Sequence, residues 1–390
     1  MAASAIPIGS KTTLARMFLV AMALFLVTIT IGLLNGTDAV EFTRDQILTH
    51  VHSGTIGWIS LALIASAMWL YGAVDSRLAL ALGILIPIYV AAFYTGNLAA
   101  RAATGTALLV AILWVLVWAW RAWSAERTLP GLAVALGLTT FAYGAVIGVL
   151  IQVQLATATT IFTRDAVGGH ASAMVFSYLI LLAMGLLEWR VLGTTGLPKA
   201  GLIQYGALFV GGLLLTGTLL FLDESATQAI GGIYLLVELV AVGLFAWRVV
   251  PAAIRGGLGA HLAAAIVFVF IAMGIFLYLI FLFISSGDPE SVNFNLIKAS
   301  DHAAFIGVIT NLIFALILAL TSGDRDPAPA WVPQLGFWAM NLGLLVFLVG
   351  LGQDIAEVKR IGAPAMGVGI LIVMYVLARR LWASAGMSKT

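Results

Sequence analysis

Polar and charged residues along this chain come in short clusters, and between the clusters the sequence stays apolar for some twenty residues at a time. The apolar runs fall at roughly 14–34, 50–72, 77–98, 104–124, 131–155 and 167–190, then at 199–221, 227–249, 259–283, 297–321, 335–353 and 362–384. A helix needs about 20 residues to cross the hydrocarbon core of a bilayer, and irregular backbone cannot face lipid there because its polar groups would go unbonded. The pattern predicts an all-α, polytopic membrane protein with about 12 transmembrane helices. No long polar segment interrupts the series, so residues 1–390 read as a single transmembrane domain without a soluble appendage. The first run, Leu14 to Leu34, lacks a small-residue cleavage site behind a short apolar core and reads as a retained span.

Composition sharpens this picture. Only 9% of the residues are charged and 62% are hydrophobic, with a mean hydropathy of +1.10; a soluble surface takes roughly a quarter charged residues. The net charge of +2 gives no reason to expect a nucleic-acid partner. The absence of cysteine excludes disulfides, thiolate metal sites and iron–sulfur clusters, which leaves histidine as the soft metal ligand. Lys and Arg are distributed unevenly. Arg44, Arg101, Arg164, Lys298, Lys359 and Arg360 fall on one side of the membrane; the rest, including Lys11, Arg77, Arg127, Arg190, Arg248, Arg325 and Lys389, fall on the other. Positive charge collects on the cytoplasmic side, so both termini are expected inside, in a plasma membrane of prokaryotic type.

Four of the five histidines then share one depth. His50 and His52 open the second span, His170 opens the sixth and His302 lies near the start of the tenth. Under this topology all four sit near the outer face, while His261, at the start of the ninth span, falls on the cytoplasmic side and reads as a solvated helix-end residue. Ionisable groups within spans usually face the bundle interior and mark function, and imidazole is the commonest metal ligand. Spans 2, 6 and 10 are four apart, which points to three four-helix units, although no alignable sequence repeat accompanies that spacing. Two residues along a helix is a rotation of about 200°, so His50 and His52 should leave the second span on nearly opposite sides.

Twelve spans with histidine near the outer end of the second, sixth and tenth resemble the catalytic subunit (subunit I) of heme–copper oxidases and nitric oxide reductases. In that family histidines on helices 2 and 10 form the axial pair of a low-spin heme; Thr49-His50-Val51 and His302 resemble those positions. His170, behind two glycines, is similar to the helix-6 copper ligand, and Lys359-Arg360 stands where a basic pair holds heme propionates. The departures matter. The seventh span, Lys199 to Phe221, has none of the family's histidines, and Ser300 replaces the ligand of the oxygen-binding heme. The resemblance therefore implies a divergent relative that binds heme, b-type, with copper as a further candidate and His52 left over, and that does not reduce oxygen. It also implies a redox partner, a cytochrome or quinol, or a small gas ligand. A second resemblance is to bacterial nitric-oxide-response membrane proteins, on His50-Val51-His52 and His302-Ala303.

Other signals are weaker. Glu238 lies mid-span in the eighth helix, where a carboxylate is expensive, and is expected on a proton path or in an interhelical hydrogen bond. Asp301 is placed to orient an imidazole or to favour a helix N-terminus; Gln152 and Gln154 end the fifth span near the same face. Trp114, Trp118, Trp120 and Trp123 read as an interfacial belt, and Gly256, Gly257, Gly259, Gly367 and Gly369 as packing positions. Three functions compete: a heme protein for electron transfer or gas handling, an active oxidase or nitric oxide reductase with substitute ligands, and a secondary transporter. Against the last, Pro87 is the one clear mid-span proline and has no counterpart in the ninth span.

Overall fold

A computed structural model describes residues 8–194, 196–286, 292–323 and 328–386. Arg325 and Lys389, used above for orientation, lie outside the described residues. Twelve helices among the described residues are long and apolar enough to cross a membrane. They are α1 (Gly9–Gly36), α2 (Arg44–Leu70), α3 (Ser76–Tyr94), α4 (Leu98–Glu126), α5 (Leu129–Thr157) and α6 (Ala166–Leu192), followed by α7 (Lys199–Phe221), α8 (Ser225–Gly256), α9 (Ala260–Ser286), α10 (Asn295–Leu320), α11 (Trp331–Gly352) and α12 (Ala356–Ser384). The chain is an all-helical integral membrane protein.

Several of the polar clusters between the apolar runs turn out to be helix caps. Thr43 and Gln46 form a reciprocal capping box at the start of α2. Asp75, Asn97, Thr128, Asp165 and Asp223 each accept backbone N–H groups at the start of α3, α4, α5, α6 and α8. Each cap satisfies donors that the first helical turn would otherwise leave bare. Gly257, expected as a packing position, is instead the left-handed cap that ends α8 (φ 61°). A Cβ on Gly256, Gly257 or Gly259 would meet open space, so these glycines serve the turn. Gly369 does pack: a Cβ there would collide with the backbone of Met340, so α11 and α12 approach to backbone contact.

The chain forms two compact units. The first comprises Met1–Gly96, Gly259–Ala272 and Lys298–Thr390; the second comprises Asn97–Leu258 and Met273–Ile297. Three spans, α2, α6 and α10, are far more buried than the others, whereas α4 and α8 present most of their apolar residues outward.

Candidate functional site

The three buried spans share a departure from regular helix. Each begins as α-helix, passes through a π-helical stretch and returns to α: Ser53–Ser60 in α2, Ala173–Leu179 in α6 and Ala303–Thr310 in α10. In each stretch a hydroxyl bonds the carbonyl five residues back, Ser60 to Thr55 at 2.8 Å, Ser177 to Ser172 at 3.3 Å and Thr310 to Phe305 at 2.8 Å. Such stretches are uncommon and concentrate at functional regions. Aligned on their starts, His50 stands with His170 and Ser300, and His52 with Ser172 and His302. The alignment also exposes a repeat that the sequence did not yield by inspection. His52-Ser-Gly-Thr-Ile56-Gly57-Trp58-Ile59-Ser60 matches His302-Ala-Ala-Phe-Ile306-Gly307-Val308-Ile309-Thr310, with identity confined to the His, the two Ile and the Gly.

The first of the two aligned positions is a socket on the preceding span. His50 Nδ1 lies 2.8 Å from the Thr28 carbonyl on α1, and its ring covers Gly32, where a Cβ would come within 2.8 Å of Cε1. His170 repeats this in the second unit: Nδ1 is 2.9 Å from the Gly144 carbonyl, and a Cβ on Gly148 would again come within 2.8 Å of Cε1. Ser300 makes the same bond with its hydroxyl, to Ala272 at 2.9 Å. A carbonyl can only accept, so each imidazole donates its Nδ1–H and keeps its lone pair on Nε2.

The second position faces the following span. His52 donates from Nδ1 to Leu48 at 2.7 Å and stacks on Phe93 of α3, with ring centres 3.8 Å apart. His302 donates from Nδ1 to Lys298 at 2.7 Å and meets Phe347 of α11 edge-on at 5.1 Å. Ser172 bonds Thr216 of α7 at 2.9 Å instead. As the 200° rotation requires, His50 and His52 leave α2 toward α1 and α3 respectively.

Of the predicted site residues, the first unit holds His50, His52, His302, Lys359 and Arg360, and the second holds His170 and Glu238. His302 is within electrostatic reach of both His50 and Lys298. The π stretches of α2 and α10 are joined at their ends, where Trp58 Nε1 donates to Thr310 Oγ1 at 2.9 Å and the indole stacks on Phe25. Lys359 is paired with Asp354 at 2.9 Å and Arg360 with Asp38 at 2.6 Å. The hydrogen bond and charge of Lys359 hold the Asp354 carboxyl below the usual carboxylate range. Asp301 makes no bond to His302, and its Oδ1 is buried without a partner, as is Gln152 Oε1. Gln154 caps the N–H groups of Ile161 and Phe162.

His261 departs from its expected place. It is buried, with Nδ1 2.7 Å from Asn311 Oδ1, and the Asn311 amide donates to Gly307 and to Asn341. The ring lies edge-on to Phe314 and Phe337. A helix start at a membrane face reads as solvated, but α9 begins against α10 and α11, and their amides supply the partners.

Sequence reasoning also missed a charged cluster. Arg248 grips Glu188 with two nitrogens, at 2.6 and 3.1 Å, and bonds Gln204 at 2.8 Å; the Tyr205 hydroxyl donates to the same carboxylate at 2.8 Å. Glu188, Gln204 and Tyr205 are fully buried. The signal was present as one acid and one base inside the last turns of two apolar runs, each too costly there to stand alone. Glu238 is fully buried with neither oxygen bonded, and ionised at mid-span it would cost roughly 3 kcal/mol or more. Among the described residues, no three of His, Asp and Glu gather into a metal-binding group. No protein-family model matches the chain, and no curated protein matches it.

Proposed function

We propose that this protein is a heme-binding membrane protein in which His50 and His302 are the axial ligands, serving electron transfer or the handling of nitric oxide or another small gas. The observation that carries the reading is the pairing of these two imidazoles in one unit. Each is held by a backbone carbonyl through Nδ1, which leaves Nε2 for a metal, and His302 is within the field of His50. The donor set fits a bis-imidazole heme: two neutral nitrogen ligands on neighbouring helices, with orientation fixed by the Thr28 and Lys298 carbonyls that the rings bond. When bound, the heme supplies a one-electron couple; the protein's part is to hold the rings, exclude lipid and balance charge. Lys359 and Arg360 would serve its propionates by exchanging Asp354 and Asp38 for them, and Lys298 is a further cation near His302. His170 is the only histidine of the second unit, so copper there would need other donors. His52, committed to Leu48 and Phe93, is the candidate substitute ligand if the protein turns over oxygen or nitric oxide.

The proposed setting is a plasma membrane of prokaryotic type, with the histidine ends of α2, α6 and α10 outward and a cytochrome, quinol or dissolved gas as partner. The test is a visible spectrum of the purified, dithionite-reduced protein. A sharp low-spin α band is expected, with no cyanide-sensitive oxygen consumption. A protein isolated without heme overturns the reading and leaves the transporter in its place.

A further inference from the structure

Aligned on the starts of the π stretches, Asn311 of α10 stands with Leu61 of α2 and Leu181 of α6. All three side chains are fully buried. Leucine accompanies a π stretch twice, so the stretch itself does not need an amide at this place. A buried amide is costly unless its hydrogen bonds are made, and those of Asn311 reach three helices.

Asn311 Nδ2 donates to the Gly307 carbonyl at 2.9 Å, inside the π stretch, and to Asn341 Oδ1 of α11 at 2.8 Å. Asn311 Oδ1 accepts the Nδ1–H of His261 of α9 at 2.7 Å. Asn341 Nδ2 in turn donates to the Phe337 carbonyl at 2.8 Å. The two backbone carbonyls can only accept, so a single orientation of both amides and a single tautomer of His261 satisfy the set. α9 also presses on the stretch directly, because a Cβ on Gly307 would collide with the Phe268 ring. One residue back, Thr310 Oγ1 takes the indole N–H of Trp58 from α2 at 2.9 Å. α2, α9 and α11 therefore grip the same two residues, Thr310 and Asn311, where the π stretch returns to α-helix. All of these residues belong to the first unit.

In a π turn the backbone N–H reaches one residue further back than in an α turn. Closing that turn as α-helix would shift the register by one residue and rotate what precedes it by about 100°. His302 immediately precedes the stretch, and the rotation would take it off Phe347 and away from the field of His50. We infer that His261, Asn311 and Asn341 are positioning residues for His302: they fix the register of the α10 π stretch and so the direction in which the imidazole leaves the helix. Fully satisfied buried networks specify one arrangement in this way. The use of that direction rests on the heme reading above; the register itself does not.

The chain has no cysteine, so a disulfide between His302→Cys and Phe347→Cys reports the facing of position 302 without heme. It is expected to form in the otherwise unaltered full-length protein. Adding Asn311→Leu, which installs the residue of the other two spans, should slow its formation by about tenfold, the equivalent of one buried hydrogen bond. His261→Leu should slow it similarly, whereas His261→Gln, which keeps a donor for Asn311, should restore it. If Asn311→Leu does not fold, the two His261 variants decide. With His302 and Phe347 intact, Asn311→Leu should also convert the low-spin α band to a high-spin spectrum. No crosslink in the otherwise unaltered protein, a lower melting temperature with crosslinking unchanged, or no difference between His261→Leu and His261→Gln overturns the inference. A protein without heme would sink the heme reading alone, since the crosslink is read without it.

Discussion

His50 and His170 occupy the same socket built twice. Each ring is tied by Nδ1 to a carbonyl of the preceding span and laid over a glycine four residues further along it. Their surroundings differ. The unit of His50 also holds a second imidazole on α10, whose field His50 reaches, two cations paired with carboxylates, and a Trp58–Thr310 tether between two π stretches. Around His170 are Ser172 and Thr216, and its unit offers no second histidine. Orienting one imidazole is therefore a local property that a helix pair can repeat, whereas a two-ligand site needs a donor from a third helix. The socket alone does not make a site.

The largest expected effect breaks this symmetry outright. His50→Ala or His302→Ala should abolish the low-spin band, and His170→Ala should leave it intact, as measured on purified, reduced protein; equal loss from all three would make the sockets equivalent. Next comes Arg248→Met, which leaves Glu188 buried and unpaired and should destabilise the second unit by about 3–5 kcal/mol. Thermal unfolding should shift accordingly, with the heme spectrum retained until the protein melts. Gly32→Ala and Gly148→Ala should each cost about 1–3 kcal/mol through overpacking against the ring. Only Gly32→Ala should also lower heme content, which pyridine hemochrome measures.

The pattern of apolar runs contained the fold, because span length and turn chemistry are local properties. It contained the residues of the candidate site too, since histidines near the starts of spans can be read once the spans are counted. The partners could not be read that way. Thr28, Gly32, Phe93 and Phe347 are an ordinary hydroxyl, a small residue and two aromatics in apolar runs, and only helix packing makes them neighbours of imidazoles. The repeat linking α2 and α10 was in principle visible, but it rests on His, Ile and Gly in a chain rich in Ile and Gly. His261 misled for a related reason: its position along the helix said surface, and two asparagines on other spans made it interior.

Two smaller effects sharpen the comparison further. Trp58→Phe removes the tether while leaving Thr310 bonded to Phe305, and should cost about 1 kcal/mol. A displaced or broadened heme band with unchanged heme content would mark the loss of alignment between α2 and α10. The smallest effect belongs to Asp354, whose carboxyl Lys359 holds below its ordinary range. A lowered folded value means that the contribution is complete above the usual carboxylate range and disappears as the pH falls through the folded one. Asp354→Asn should therefore lower the melting temperature slightly at neutral pH and leave it unchanged in strong acid; the side chain is well exposed, and salt should reduce the difference.

The grip of Arg248 on Glu188 has a consequence for how the chain is made. The two residues are sixty positions apart, so Glu188 leaves the ribosome about 3–12 seconds before its partner at ordinary rates of synthesis. During that interval α6 and α7 must enter the bilayer with an acidic group at the end of α6 whose permanent counterion is not yet built. Insertion of the second unit is in this sense unfinished until α8 arrives. A nascent chain stalled between the two residues is the intermediate that membrane quality control would recognise.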